Sequence, residues 1–295
     1  MTSNGCGSVC PVGTPLREWT ATPAHRGLEL TICEWGPAEG EPPIGILHGF
    51  LEQGAAWHDV GTRVAQRLGR RVFAPDQRGF GKSAHATGPY HIWDFVADFD
   101  RVVQLVGGPI DLVGHSMGSA VAGLFAGARP ELVRRLVLVE GLGPPDGTQG
   151  AVSRGQAFLD DSRQPRTHRP LDDLAAAVRR LRRPHPHLSE ELAMRLAERV
   201  TERDADGVLR WRWDVGHRMR FPYPFDESIF GQYLEAITAP TLVVYGADSP
   251  YKTEYFGHRE AHLRQSRRVV VPGAGHMLHY DDAEGMAALL VEHFG

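Results

Sequence analysis

LVGHSMGSA, residues 112–120, decides the fold. Leu112 and Val113 end a short aliphatic run, IDLVG (110–114), that reads as a buried strand, and SAVAGLFAGARPELV, from Ser119 onward, reads as a helix. Between them stands Gly114-His115-Ser116-Met117-Gly118, the pattern G-x-S-x-G. A serine on so sharp a strand-to-helix turn is held clear of the sheet, and side chains two positions to either side would collide with the neighbouring strand and helix. The turn also sets the serine at a helix N-terminus, whose partial positive charge favours a developing anion. Ser116 is therefore a candidate nucleophile.

The rest of the chain repeats the alternation. RGLELTICEW (26–35) carries Leu28, Leu30 and Ile32 on one face, as a half-buried strand would. IGILHGF (44–50), RVFAPD (71–76), LVLVE (136–140), TLVVYG (241–246) and RVVVPG (268–273) read as further strands. WHDVGTRVAQRL (57–68), WDFVADFDRVVQLV (93–106) and AEGMAALLVEHF (283–294) are helical stripes between or after them. Aliphatic runs alternating with amphipathic helices imply an α/β fold, a mostly parallel twisted sheet with helices on both faces. The rhythm breaks between Pro144 and Glu235. LDDLAAAVRRL (171–181) and LSEELAMRLAERV (188–200) are amphipathic helices, and LRWRWD (209–214) and FPYPF (221–225) are rich in aromatics and proline. The expected organisation is an irregular, flexible lead-in over 1–25, a core from 26–143 and 236–295, and a helical cap over 144–235 inserted after the strand that ends at Glu140.

Composition narrows the function classes. The 295 residues are 42% hydrophobic and 23% charged, with a net charge of −4. No basic surplus points to nucleic acid or an anionic membrane, and no apolar run approaches the ~20 residues that span a bilayer. Cys6, Cys10 and Cys33 are too few and uneven for a disulfide framework. MTSNGCGSVCPVGT lacks a basic start and an apolar core, so it does not read as a secretory signal. The expectation is a cytoplasmic protein with a small-molecule substrate, without nucleic-acid or membrane partners and in an undetermined oligomeric state. His258 and His262 stand four apart but lack a third ligand in the sequence, so no metal site is expected.

HGF (48–50), DQRGFGKS (76–83), the G-x-S-x-G turn and GAGHMLHY (273–280), in that order, resemble the α/β-hydrolase superfamily, specifically its capped, serine hydrolase-like and epoxide-hydrolase-like branch. The resemblance covers nearly all of the chain beyond residue 25. It implies Ser116 as nucleophile, His276 as general base, and the backbone N–H groups of Phe50 and Met117 as an oxyanion hole. The acid is less direct. The superfamily's usual slot, three residues after the glycine of TLVVYG, holds Ser249, and the nearest carboxylate, Asp248, comes one residue early. Glu140, at the end of the strand after the nucleophile helix, is preferred and Asp248 is the alternative. A buried carboxylate at a strand end needs a partner, and His276 would supply one.

A serine in place of the aspartate nucleophile of epoxide hydrolases and haloalkane dehalogenases points to acyl transfer to water. The expected function is hydrolysis of small apolar carboxylic esters without a cofactor. The alternatives are a carbon–carbon bond hydrolase of aromatic degradation using the same triad and a non-catalytic small-molecule binder on the same fold. His48, Trp211, Trp213, Phe221, Tyr223 and Phe225 are candidates for the pocket wall. The arginines Arg179, Arg180, Arg182 and Arg183 read as a solvated helix face.

Overall fold

The computed structural model describes residues 16–22, 28–38, 42–163, 166–185, 188–251 and 253–295. The aliphatic runs become strands β2 (Leu30–Trp35), β3 (Ile44–Leu47), β4 (Val72–Pro75), β5 (Ile110–His115), β6 (Val133–Val139), β9 (Thr241–Gly246) and β10 (Ser266–Val271). With β1 (Arg17–Ala21) they form a sheet of order β1-β2-β4-β3-β5-β6-β9-β10. β2 is antiparallel to β1 and β4, and the strands from β4 to β10 in that order run parallel.

Side chains alternate between two cores, as the two-residue period of a strand requires. Val113, Val137, Val139, Leu242 and Val244 face α1 (His58–Leu68) and α10 (Ala283–Phe294). Leu112, Leu136, Leu138, Val243 and Tyr245 face α2 (Ile92–Val106), α3 (Met117–Ala128) and α7 (Glu227–Ala236). Both faces are covered, so β3, β4, β5 and β9 are buried along their whole length.

Two expectations at the N-terminal side need correction. The supposed lead-in contains β1, an edge strand too polar to register as an apolar run; residues 1–15 and 23–27, with Cys6 and Cys10, lie outside the described residues. β2 is buried on both faces, not one. Its polar member, Glu34, is tolerated because Arg17, Trp19 and Arg71 all donate to its carboxylate, at 2.6 to 3.0 Å.

The insertion after β6 carries α4 (Ala151–Arg163), α5 (Leu174–Arg182) and α6 (Glu190–Val200). Asp173 and Ser189 cap the last two through the backbone N–H groups of Ala176 and Leu192. A short hairpin of β7 (Thr201–Arg203) and β8 (Leu209–Trp211) follows, where no strand was expected. α7 also departs from expectation. It packs against α3 so closely that a Cβ on Gly127 would lie 2.3 Å from the Tyr233 carbonyl oxygen. This helix, inside the expected cap span of 144–235, therefore belongs to the layer covering the sheet. α8 (Thr253–Glu260) and α9 (Leu278–Asp281) complete the chain.

DQRGFGKS is a knot of hydrogen bonds. The fully buried Asp76 carboxylate accepts the N–H groups of Gly54 (2.7 Å) and Lys82 (2.9 Å) and pairs with Arg199 of the cap (2.7 Å). Gly81 has a positive φ of 55°, and a Cβ there would sit 2.2 Å from Asp76 Oδ2. Arg78 is buried against Asp98 by two bonds, of 2.6 and 2.7 Å. Ser83 Oγ accepts from Thr31 and donates to the Asp76 carbonyl. The motif thus ties the turn after β4 to β2, α2 and the cap. Removing one partner of a buried ion pair costs about 3–5 kcal/mol. Asp76→Ala is expected to lose a free energy of that order in urea unfolding, and a change under about 1 kcal/mol would contradict this account.

Candidate active site

β5 and β6 are paired so that His115 stands beside Val139, and β6 and β9 so that Val139 stands beside Val244. The residues that follow these strands therefore emerge side by side at their carboxyl ends, where open α/β sheets gather ligand-facing groups. Ser116 and Glu140 take those places. Both have left-handed backbones, with φ of 52° and 56°, which cost a non-glycine residue of order 1–3 kcal/mol. The sheet offsets that strain: the Ser116 N–H donates to the Val139 carbonyl, and the Glu140 N–H to that of Val244, both at 2.9 Å.

The two glycines of the turn are required by space. A Cβ on Gly114 would lie 2.5 Å from the Gly118 carbonyl oxygen, and one on Gly118 only 2.2 Å from that of Leu47 in β3. With no Cβ at either position, α3 starts directly above the sheet. His276 comes from the loop after β10. Ser116 Oγ donates to His276 Nε2 at 3.0 Å, and His276 Nδ1–H donates to Glu140 Oε2 at 3.0 Å. The second Glu140 oxygen accepts the Gly246 N–H at 2.6 Å, and Oε2 also accepts from Ser249 Oγ at 2.5 Å. The buried carboxylate that ends LVLVE thus has three donors, and the preferred acid is the one in contact with the imidazole. Asp248 is exposed in the turn after β9, where its backbone N–H donates to Ala274.

The Ser116–His276 pair opens into a cavity of about 400 Å³ roofed by the cap. Its wall includes Phe50, Leu188, Leu196, Trp211 and Trp213, with Arg180 and Arg218 among its polar groups. Trp211 and Trp213 are where the sequence places them, and Arg180 faces the cavity instead of forming part of a uniformly solvated face. Four expected wall residues lie elsewhere. His48 is fully buried beneath the turn, accepting the Gln77 N–H through Nε2 and meeting Phe80 edge-on. Phe221 and Tyr223 line a separate surface cleft with Leu28 and Thr87. Phe225 packs against Gly143 and Phe230, with the Arg259 guanidinium over its ring. These three aromatics are drawn off by core and surface partners that the sequence does not reveal. His258 and His262 pair with Glu227 and Glu235, respectively.

Sequence reasoning missed Glu52. Its carboxylate is buried beside the site, where it accepts the Gly49 N–H and His115 Nδ1–H on one oxygen, both at 2.7 Å. The other oxygen accepts His279 Nε2–H at 2.8 Å and the Tyr280 hydroxyl at 3.3 Å. Burial alone would push the Glu52 carboxyl up, but the His115 and His279 rings hold it well below the usual carboxylate range. The three residues bring their ligand atoms within 4.8 Å of one another. The carboxylate's lone-pair sites are nevertheless taken by N–H and O–H donors, an arrangement suited to protons and not to a cation. The only sequence signal for this cluster is a carboxylate three residues after the HG turn; its partners stand 63 and 227 positions away.

Comparison with known proteins agrees with the architecture. The family model described as alpha/beta hydrolase fold matches residues 42–283. A serine hydrolase-like protein of Dictyostelium discoideum is 23% identical over 283 residues, covering 90% of this chain and 78% of that protein. An sn-1-specific diacylglycerol lipase of Mus musculus is 28% identical over 252 residues, covering 81% of this chain and 76% of the lipase. Among solved structures, the thioesterase domain from the curacin biosynthetic pathway superposes with a TM-score of 0.85 at 35% identity, covering 94% of this chain and 99% of that domain. No helix among the described residues is long and apolar enough to cross a membrane.

The turn's geometry can be tested without any assay of activity. Gly118→Ala forces a methyl group onto a backbone oxygen and is expected to cost about 3 kcal/mol or more by urea unfolding. Gly88→Ala, where no described residue lies within 4 Å of the new methyl, should change stability by less than ~0.5 kcal/mol. Equal, small effects at the two positions would refute the close-approach argument.

Proposed function

The chain belongs to the alpha/beta hydrolase fold family, and from that premise we propose that it is a serine acyl hydrolase cutting small, largely apolar carboxylic esters and thioesters. The observation that carries this reading is the continuous hydrogen-bond chain from Ser116 through His276 to Glu140, opening on the cavity beneath the cap. Ser116 Oγ attacks the acyl carbon while its proton passes to His276 Nε2. Glu140 holds Nδ1–H, which leaves Nε2 free to accept and stabilises the imidazolium that forms. The carbonyl oxygen becomes an oxyanion and is received by the N–H groups of Phe50 and Met117. Met117 opens α3, and the first N–H groups of a helix have no partner within it. His276 then protonates the leaving alkoxide or thiolate, giving an acyl-Ser116 ester. A water deprotonated by His276 attacks that ester and releases the acid.

A second line of support separates ester-type substrates from those of aspartate-nucleophile enzymes. An acyl-serine is cleaved by attack on its carbonyl, whereas an alkyl ether on serine would have no such route to water. Thioesters are included because of the 35% identity to a thioesterase domain across nearly the whole chain. The leucine, valine and tryptophan wall suits an apolar acyl or alcohol group.

A fluorophosphonate should label the native protein at Ser116, and p-nitrophenyl esters and acyl thioesters should be hydrolysed. Ser116→Ala should lower kcat by about 10³-fold or more and abolish labelling. Absence of labelling in the folded protein would sink the proposal. Glu140→Gln should lower kcat by roughly 10²- to 10⁴-fold, while Asp248→Asn stays within about twofold. The reverse ranking would move the acid to Asp248.

A further inference from the structure

The group behind the site has a feature that the acyl-transfer steps do not use. His115 is fully buried, and each of its ring nitrogens faces an oxygen that can only accept. Nδ1 lies 2.7 Å from the Glu52 carboxylate and Nε2 lies 2.8 Å from the main-chain carbonyl of His276. A neutral imidazole has one N–H and would set a lone pair against one of those oxygens. Two acceptors at these distances require two N–H groups, so His115 is an imidazolium paired with Glu52. His279 satisfies the same logic differently: Nε2–H donates to Glu52, while Nδ1 has no hydrogen-bond partner among the described residues and burial disfavours a second charge, so this ring is neutral. The buried group then sums to zero charge.

The oxygen of Glu52 that binds His115 also accepts the Gly49 N–H. Gly49 precedes Phe50 in the turn that offers the oxyanion N–H. The route Gly49–Glu52–His115–His276 therefore joins the loop holding one oxyanion donor to the main chain of the general base. We propose that Glu52 and His115 are positioning residues, an internal ion pair that fixes these two loops relative to each other. The proposal rests on the reading of Ser116 and His276 as nucleophile and base. Burial would push His115 down, but the Glu52 charge and the hydrogen bonds to Glu52 and the His276 carbonyl hold it above the ordinary imidazole range. The other titratable groups around it are His48, His185, His276, His279 and Glu140. Of these only Glu140 adds negative charge, so Glu52 is the partner in contact.

If the pair is broken by Glu52→Gln, His115 loses the charge that keeps it doubly protonated. If the amide oxygen of residue 52 stays on the Gly49 N–H, a bare His115 nitrogen faces a carbonyl oxygen, that of residue 52 or that of His276; if the amide turns over, its NH2 faces the Gly49 N–H, and in either case the contact between the two loops is lost and the base shifts. A misplacement of about 1 Å in such a constellation costs on the order of 10²-fold in rate.

The first test uses the native protein, labelled with ¹⁵N. At pH 8, NMR should show both ring nitrogens of His115 protonated; one bare nitrogen would overturn the ion pair. In Glu52→Gln, kcat on a p-nitrophenyl ester should fall by about 10- to 100-fold with KM within about threefold. An unchanged kcat, or a loss confined to KM, would overturn the positioning role. A crystal structure of Glu52→Gln supplies a reading independent of turnover. The His276 Nε2–Ser116 Oγ separation should exceed the ~3.5 Å limit of a hydrogen bond, and an unchanged 3.0 Å would refute the coupling. Should native protein fail to react with fluorophosphonate, the serine-hydrolase reading falls, whereas the charge on His115 and the loop geometry are still decided by these two measurements.

Discussion

The arrangement depends on one close approach, that of the first turn of α3 to the ends of β3 and β5. Gly118 meets the Leu47 carbonyl and Gly114 meets the Gly118 carbonyl at distances no Cβ could share. Because those atoms are absent, the helix begins without a connecting loop, and the residue at its start is pushed into a left-handed backbone above the sheet. A longer turn would relieve the strain but would let Ser116 wander. The sheet secures the strained conformation through the Ser116 N–H bond to Val139, so the rigidity of the parallel strands is what fixes the hydroxyl.

The same strand ends explain why the carboxylate on His276 comes from β6. In a parallel sheet the position after β6 and the position after β9 are neighbours, and a carboxylate from either can reach an imidazole lying over both. Here β6 supplies the carboxylate and the β9 loop supplies Ser249, whose hydroxyl donates to Glu140. The loop thus offers a donor where the family resemblance leads one to expect an acceptor. A second carboxylate at residue 249 would put two like charges against one ring. A serine there adds a hydrogen bond to the charged form of Glu140. The serine at one strand end and the carboxylate at the next are thus two halves of a single arrangement.

Much of this was legible in the sequence because it is local. The strand–glycine–serine–glycine–helix order, the aliphatic runs and the carboxylate after LVLVE each depend on spacing of a few residues. The preference for Glu140 over Asp248 rests on position alone; in the structure Glu140 is the carboxylate that hydrogen-bonds to His276. What was not legible is what tertiary partners decide. Arg17–Ala21 has no apolar pattern and becomes a strand only because β2 offers an unpaired edge and Glu34 needs donors. Phe221, Tyr223 and Phe225 have the composition of a pocket wall, but other partners hold them elsewhere. Helix α7 looks like cap until Gly123 and Gly127 are seen to leave room for it on α3. Glu52, His115 and His279 were out of reach for the same reason, since nothing in a one-dimensional pattern tells a buried ionic cluster from three scattered polar residues.

The centre therefore contains two buried carboxylates, Glu140 and Glu52, each satisfied by donors and each touching a histidine. They behave differently because their histidines are placed differently. His276 keeps one nitrogen turned to Ser116 and the cavity, where the proposed acyl transfer would have it take up and return a proton. His115 has both nitrogens closed off by acceptors, so neither is turned to Ser116. A mobile proton needs a neighbourhood that does not rearrange as charge moves through it. A charged, fully bonded pair against the same loop provides one, because its geometry is held by Coulomb attraction in a medium with little screening. Buried ionic groups are poor contributors to net stability. Their presence in this core is better explained by the orientation they impose on the loops that carry Phe50 and His276.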